Sequence, residues 1–470
     1  MEGPNRDAGV TVGVAPQARS RQPFYRRRDW CSFSLTTGLT LAVYLVTLTP
    51  DVTPGLSGIF STGALYAGVP SPPGYPVWTL YAHCFAIMPI GNVAWRVALS
   101  SAVAGALACG LIALTVSRGG LLIVRPPLWT SRFGPKEEGR LGVVCGCVAG
   151  LGFGFDGGFW KTAVVPEPWA LSVLLLALVL CHLMKWAYGP DRRRCLYGAS
   201  FVYGLTVSNS QALFAAALGL QILVLLTDRR LVRDTCLANS LLFGAGLWAG
   251  RPGYGTLFHA RVDGFDYLRL VFVLAGIGSV VTAFALVIRT RRLSGEWRAV
   301  STCCAMFLFG LSVYLYSPLA SMTNPPANWG YPRTAEGFIH LVTRGQYERI
   351  EPTASVTRLA AQLRMYGELA ATDFGILYLM AALLPFCFLH RMRTQERNWM
   401  LGLLAVYLCL VLLLLVVLNP SDDRFSREIC RVFFSASHLV LAVWAGYGLI
   451  LFGWLTGRRA VNKALTPSDT

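Results

Sequence analysis

Apolar residues in this chain are gathered into long blocks that are separated by short polar or basic segments. The blocks cover residues 31–50, 97–117, 141–155, 168–184, 196–208, 210–227, 235–250, 270–288, 299–318, 374–389, 399–418 and 432–455. Most of them approach the roughly 20 residues that an α-helix needs to cross about 30 Å of hydrocarbon. The pattern therefore predicts an all-α polytopic membrane protein with about twelve transmembrane helices.

The composition supports this fold class. Of 470 residues, 54% are apolar and only 14% are charged, which is too little charge to solvate the surface of a soluble protein. We expect one membrane domain over residues 31–457, a disordered basic N-terminus over residues 1–30 and a cytoplasmic tail over residues 458–470. The basic N-terminal segment leads into a full-length span without a small-residue cleavage site, so no cleavable signal peptide is expected.

The segment 75–91 is apolar but short, and it contains Pro76, His83 and Pro89. If it does not cross the membrane, the basic clusters that follow other blocks fall on one side, as the positive-inside rule requires. We therefore predict an outer interfacial helix here, cytoplasmic termini, and outer loops over residues 51–96 and 319–373. The net charge of +17 follows from this topology, so no nucleic-acid partner is expected. Because the chain stops soon after its last block, we expect a bacterial inner membrane rather than the endoplasmic reticulum.

The first outer loop and the segments after it carry a distinctive set of residues. They are Ser57-Gly58, Pro72-Pro73-Gly74-Tyr75-Pro76, Trp95-Arg96, and Phe159-Trp160 followed by Glu167. Over residues 35–225 the chain resembles the membrane family that includes protein O-mannosyltransferases of the type C glycosyltransferase class and bacterial members of unknown substrate. The resemblance implies a polyprenyl-phosphate-linked sugar donor, a protein or glycan acceptor on the outer face, and a carboxylate of the first outer loop as general base.

The chain departs from the family motif at the groups that carry its acid–base chemistry. The Asp and Glu that flank Ser-Gly in the family are Leu56 and Ile59 here, and the His before Pro-Pro is Ser71. Neither Leu nor Ile can take a proton, so another carboxylate must serve if the chain is an enzyme. The candidates near span ends are Asp51, Asp156 and Glu167, of which Glu167 matches a family position. Each can instead be a solvated or helix-capping residue.

Substrate contacts are expected in the outer loops, because a long ordered loop in a compact domain is usually functional. The candidates in the first loop are Ser57, Gly58, Pro72, Pro73, Gly74 and Tyr75. Arg96, Arg333 and other outer Arg such as Arg431 suit a lipid phosphate, and Trp329 suits a sugar. The same residues can be interfacial anchors that contact membrane lipid. The apolar spacing over residues 334–347 predicts a helix that either lies on the membrane or covers the site.

No cofactor is expected, and the spacing of Cys and His does not indicate a metal site. Three functions remain open. The first is transfer of a sugar from a lipid phosphate carrier to an acceptor outside the cytoplasm. The second is a non-catalytic relative that binds lipid-linked sugar or assists envelope assembly. The third is a transporter, against which stands the lack of paired broken spans in the sequence pattern.

Overall fold

A computed structural model describes residues 23–124, 134–189, 192–249, 267–343 and 352–465. Within these ranges the protein is all-α, as expected, and one isolated parallel bridge joins Val69 to Asn328. The helices are α1 (Arg27–Thr47), α2 (Ser57–Leu65), α3 (Pro76–Ala86), α4 (Val93–Ile123), α5 (Pro135–Gly154), α6 (Gly157–Ala163), α7 (Trp169–Tyr188), α8 (Arg192–Asn209), α9 (Ala216–Thr227), α10 (Arg229–Ala249), α11 (Tyr267–Thr290), α12 (Trp297–Leu311), α13 (Tyr316–Met322), α14 (Ala335–Val342), α15 (Val356–Phe374), α16 (Ile376–Cys387), α17 (Thr394–Leu418) and α18 (Arg424–Leu465).

Each of the apolar blocks lies on a helix, which confirms the prediction of a polytopic membrane protein. In the described part of the chain, 7 helices are long and apolar enough to cross a bilayer, or 9 if two bent pairs each count as one span. The count is lower than the predicted twelve because α8, α9 and α10 are too short or too polar by the same measure. The predicted tail is partly helical, since α18 continues to Leu465.

The core is formed around α4, which packs against α1, α5 and α7, while α18 packs against α16 and α5. Most of α4 is buried, and its inward face consists largely of Ala, Gly and Ser. Small residues allow helix backbones to approach closely in a membrane, where van der Waals contact rather than water exclusion drives association. The central helices therefore form a tight scaffold on which the outer segments rest.

Two spans are bent, and the sequence pattern did not predict either bend. The axis turns by 72° between α5 and α6, at Phe155 and Asp156, and by 109° between α15 and α16, at Gly375. Gly375 has φ +74°, a backbone conformation that residues with a Cβ rarely adopt. Irregular backbone at membrane depth is tolerated only where protein or a watery cavity surrounds it. Both bends therefore mark places where the helix bundle makes specific contacts.

Within the described ranges, the segments 51–96 and 319–373, which are predicted to be outer, contain the helices α2, α3, α14 and most of α15. The segment 75–91 forms the 11-residue α3, which at about 1.5 Å per residue is too short to cross the bilayer. The helix predicted over 334–347 is present as α14 but ends at Val342, and residues 344–351 lie outside the described ranges. Most of the predicted disordered N-terminus also lies outside them.

Candidate functional site

The first outer loop is anchored to the segment that follows α13. Val69 N donates to Ala327 O over 2.7 Å, and Trp329 N donates to Val69 O over 2.9 Å. A Cβ at Gly68 would overlap the carbonyl oxygen of Ala327, so only glycine allows this backbone approach. The segment around Val69 and the segment 327–329 are therefore joined through their backbones.

The Pro-Pro-Gly-Tyr-Pro stretch lies shortly after Val69 in the chain. Residues 68–75 are all buried, although they form no regular structure apart from the bridge at Val69. The peptide bond between Pro72 and Pro73 is cis, and Gly74 N donates to Ser71 O over 2.5 Å. Burial in protein is what an irregular segment next to a bilayer requires. Pro72, Pro73, Gly74 and Tyr75 are predicted to bind substrate. Because all four are buried, a substrate reaches them only through an opening between the residues that cover them.

Glu167 lies in the turn between α6 and α7. Its backbone is fixed by Ser101, whose Oγ donates to Glu167 O over 3.0 Å and accepts from Glu167 N over 3.3 Å. Burial raises the pKa of the Glu167 carboxyl to about 7, and the ammonium of Lys161 only partly opposes this rise. A carboxyl with a pKa near 7 can exchange a proton at physiological pH, which is the property that a general base needs.

Asp156 lies at the bend between α5 and α6, and its side chain is buried. One carboxylate oxygen accepts from Gly158 N over 2.9 Å and caps α6, while the other lies 3.0 Å from His438 Nδ1 on α18. Asp373, next to the second bend, places an oxygen 4.0 Å from the same Nδ1. Arg431 binds Asp373 with Nη2 and with Nε, the latter over 3.2 Å. We call these four side chains the bend cluster.

The bend cluster joins both bends to α18, which is continuous. Its charges alternate in space, so that each buried carboxylate faces a cation or an imidazole. His438 is buried, and its Nε2 has no hydrogen-bond partner among the described residues. Sequence reasoning missed Asp373 and His438, and it considered Arg431 only as an outer cation. The sequence did contain a signal for Asp373 and His438, because each is an ionisable residue within or beside an apolar span, and such residues usually mark function.

Three side chains of the bend cluster offer potential metal ligands. One atom each from Asp156, Asp373 and His438 lies within 4.8 Å of the others. The carboxylates are already engaged, because Arg431 binds both oxygens of Asp373 and the Gly158 amide binds Asp156. The arrangement is that of an ion-pair network, in which a positive guanidinium neutralises one carboxylate.

The remaining predicted residues are more dispersed. Asp51 is exposed, and among the described residues its carboxylate accepts from the neighbouring Val52 N, over 2.7 Å. Ser57 Oγ donates to Thr53 O over 2.6 Å and accepts from Thr53 N over 2.8 Å, so that its hydroxyl closes a local turn. Gly58 lies beside it, within reach of Val52. The structure thus gives Ser57 a local structural role and leaves Asp51 in contact with solvent.

The two predicted Arg also make local bonds. Arg96 donates to the carbonyl oxygens of Met88 and Asn92, both in or next to the α3–α4 connection. Arg333 is exposed, donates to Asn324 Oδ1 over 3.0 Å and lies above the ring of Tyr331. Trp329 is 44% exposed. Of the three, Arg333 and Trp329 are available to a ligand, whereas Arg96 fastens the loop between α3 and α4.

Leu56 and Ile59, which replace the motif carboxylates, both lie on the surface at the start of α2. Their exposed fractions are 50% and 36%. Neither side chain belongs to the buried core, so packing does not explain why these positions are apolar. The surface on which carboxylates are expected is hydrophobic in this protein.

Comparison with known proteins places these features in a family context. The model of the Protein O-mannosyl-transferase TMEM260 N-terminal domain matches residues 57–232. A mouse protein O-mannosyl-transferase TMEM260 is 28% identical over 213 residues, which are 44% of this chain and 28% of the mouse protein. The Dictyostelium discoideum protein is 21% identical over 444 residues, which are 91% of this chain and 46% of that protein. The chain therefore spans less than half the length of these relatives.

Among solved structures, the archaeal oligosaccharyltransferase AglB from Archaeoglobus fulgidus, in complex with an inhibitory peptide and a dolichol-phosphate, matches 94% of this chain and 52% of its own. The TM-score is 0.44 and the sequence identity is 13%. The sequence comparisons confirm the expected similarity to membrane O-mannosyl-transferases. The matched region includes Asp156 and Glu167, while the remainder of the bend cluster lies beyond residue 232.

Proposed function

We propose that this protein transfers a sugar from a polyprenyl-phosphate carrier to a hydroxyl acceptor on the outer face of a membrane. The observation that carries the proposal is the environment of Glu167, whose pKa is raised to about 7. The residue lies inside the region that is similar to O-mannosyl-transferases. A carboxyl group whose pKa lies near neutral pH can accept a proton from a substrate and release it again at that pH.

In this mechanism the Glu167 carboxylate accepts the proton of the acceptor hydroxyl. The acceptor oxygen attacks the anomeric carbon of the sugar, and the bond between that carbon and the phosphate oxygen breaks. The lipid phosphate leaves with the bonding electron pair, and the configuration of the sugar is inverted. Negative charge develops on the phosphate, so a cation near the leaving group lowers the barrier. Lys161 lies near Glu167, on the side of the acceptor, and its ammonium pairs with Glu428 over 3.0 Å, so the leaving phosphate requires a different cation.

The experiment is transfer from a radiolabelled polyprenyl-phosphate sugar to a hydroxyl acceptor by purified protein. Glu167→Gln keeps the size of the side chain and removes its basicity, so turnover is expected to fall by roughly 10²–10⁴-fold. Asp51→Asn is the matched control, because Asp51 is exposed and bonds only within its own turn. Equal turnover in wild type and Glu167→Gln would remove Glu167 from the mechanism.

A non-catalytic relative that binds lipid-linked sugar is the second candidate function. The observation that favours it is the exposed apolar surface of Leu56 and Ile59 at the positions of the motif carboxylates. This candidate predicts saturable binding of the radiolabelled lipid without turnover of any donor. Measuring binding and transfer on the same preparation separates the two proposals.

A further inference from the structure

Asn209, the last residue of α8, is completely buried, and its side chain contacts two separate parts of the candidate site. Its Oδ1 accepts from Trp78 N over 2.8 Å. Its Nδ2 donates to Pro168 O over 3.2 Å and to Ser172 Oγ over 2.8 Å. The direction of the first bond fixes the orientation of the amide, since a backbone N–H can only donate.

The bond to Trp78 replaces a missing helix cap. The first N–H groups of a helix have no partner inside the helix and are usually capped by a side chain just before it. At α3 the capping position is occupied by Tyr75, whose side chain makes no cap hydrogen bond. Asn209 supplies the cap from another helix, 131 residues further along the chain. The Pro-Pro-Gly-Tyr-Pro loop therefore depends on Asn209 for the position of its final turn.

The bonds to Pro168 and Ser172 hold the other side. Pro168 follows Glu167 directly, and Ser172 Oγ itself donates to Pro168 O over 3.0 Å. One carboxamide thus joins the start of α3 to the turn that carries Glu167.

We propose that Asn209 is a positioning residue that sets the distance between the Pro72–Tyr75 loop and Glu167. This inference rests on the proposed function, in which Glu167 is the base. It states that Asn209, which belongs to neither segment, aligns the base with the substrate loop. Displacing a reacting group by about 1 Å can reduce a rate by on the order of 10²-fold. We expect Asn209→Ala to lower kcat by a factor of this size, with a smaller change in KM.

The first test measures position without using activity. Hydrogen–deuterium exchange is followed at the amides of Trp78 and Glu167 in detergent-solubilised protein. Asn209→Ala is expected to accelerate exchange at both, by roughly tenfold or more, because both segments lose a tether. Asn209→Asp keeps the acceptor for Trp78 and lacks the donor for Pro168, so exchange should rise only at Glu167. Ser172→Ala, which removes one acceptor of Asn209, should have an intermediate effect at Glu167.

The second test is a double-mutant cycle for sugar transfer. If Asn209 acts by placing Glu167, Asn209→Ala should change the residual rate of Glu167→Gln far less than it changes the wild-type rate. Asn398→Ala is the control, because Asn398 is another tethered amide, whose Nδ2 donates to Leu226 O over 2.6 Å on other helices. It should alter neither exchange at the two amides nor the cycle.

The outcomes separate this inference from the proposed function. Unchanged exchange at Trp78 and Glu167 in Asn209→Ala would overturn the positioning role, whether or not sugar is transferred. Additive effects of Asn209→Ala and Glu167→Gln on transfer would overturn it as well. Absence of transfer by wild-type protein, together with faster exchange in Asn209→Ala, would refute the proposed function while retaining Asn209 as the connection between the two segments.

Discussion

Removing the guanidinium of Arg431 is the sharpest perturbation of the bend cluster. Arg431→Met keeps a long flexible side chain but leaves Asp373 without its cation. The Asp373 side chain is 0% exposed and receives two bonds from Arg431, one of them from Nε over 3.2 Å. After the substitution, the two buried carboxylates Asp156 and Asp373 keep only the His438 imidazole and the Gly158 amide as the partners described above.

The size of the effect follows from these distances. At 3.2 Å and an effective dielectric constant of about 20, the attraction between unit charges is about 5 kcal/mol. In the folded protein, the cost of removing Arg431 from water offsets part of this attraction. When Arg431 is replaced, however, the carboxylate of Asp373 stays buried without its cation. Breaking a buried pair in this way costs about 3–5 kcal/mol. For a chain of 470 residues the entropy of unfolding is about 1 kcal/mol per kelvin, so the midpoint of thermal unfolding should fall by roughly 3–5 °C.

The assay is thermal unfolding in detergent with a thiol-reactive fluorophore, since several cysteines, such as Cys109 and Cys181, are buried and free. Arg427→Met is the matched control on the same helix, because its partners Asp422 and Glu368 are about half exposed. Exposed pairs contribute about 0–1 kcal/mol, so the control should shift the midpoint little. Equal shifts in Arg431→Met and Arg427→Met would refute the view that the bend cluster holds the bends together.

Four further predictions concern the outer loops and the proposed base. Gly68→Ala places a methyl group against Ala327 O and should destabilise the protein by about 1–3 kcal/mol, whereas Gly38→Ala, which meets no neighbour, should not; thermal unfolding checks both. Because the pKa of Glu167 is raised to about 7, transfer should increase as the pH rises through 7, and Glu167→Gln should abolish that dependence. Because the raised pKa means that the folded protein binds this proton more tightly than the unfolded chain, the free energy of unfolding of wild type should fall relative to that of Glu167→Gln as the pH rises from the ordinary Glu pKa to about 7. Unfolding at several pH values checks this. Leu56→Asp combined with Ile59→Glu should leave the unfolding midpoint nearly unchanged, since both residues are exposed, and should increase transfer if the missing carboxylates limit catalysis.

The helices of this fold could be predicted from sequence because apolar length is a local property. Each block of apolar residues lies on helical structure, and the segment 75–91, predicted not to cross the membrane, contains the short helix α3. The bends could not be predicted in this way. Each lies at the edge of an apolar block, at Phe155 and Asp156 after the block 141–155 or at Gly375 at the start of the block 374–389, and hydropathy does not show that a second helix continues there at an angle.

The site was predicted only in part, for a related reason. Asp156 and Glu167 could be selected because carboxylates beside apolar spans are rare. Their partners could not be inferred, since His438 lies 282 residues from Asp156 and Asn209 lies 131 residues from Trp78. Glu167 illustrates the same limit. Its raised pKa arises from packing that brings distant helices around one turn, and no spacing in the sequence records that packing.

The bend cluster is an expensive way to join helices if joining them is its only task. Charged groups within apolar surroundings are costly, and well-packed apolar residues often stabilise a structure as well as a buried ion pair does. This protein nevertheless places two carboxylates, a guanidinium and an imidazole where two bent spans meet α18. The cluster also links Asp156, inside the part similar to O-mannosyl-transferases, to residues of the C-terminal half. A network that carries this cost and connects both halves is better explained by a function that requires the bends to be held in register than by stability alone.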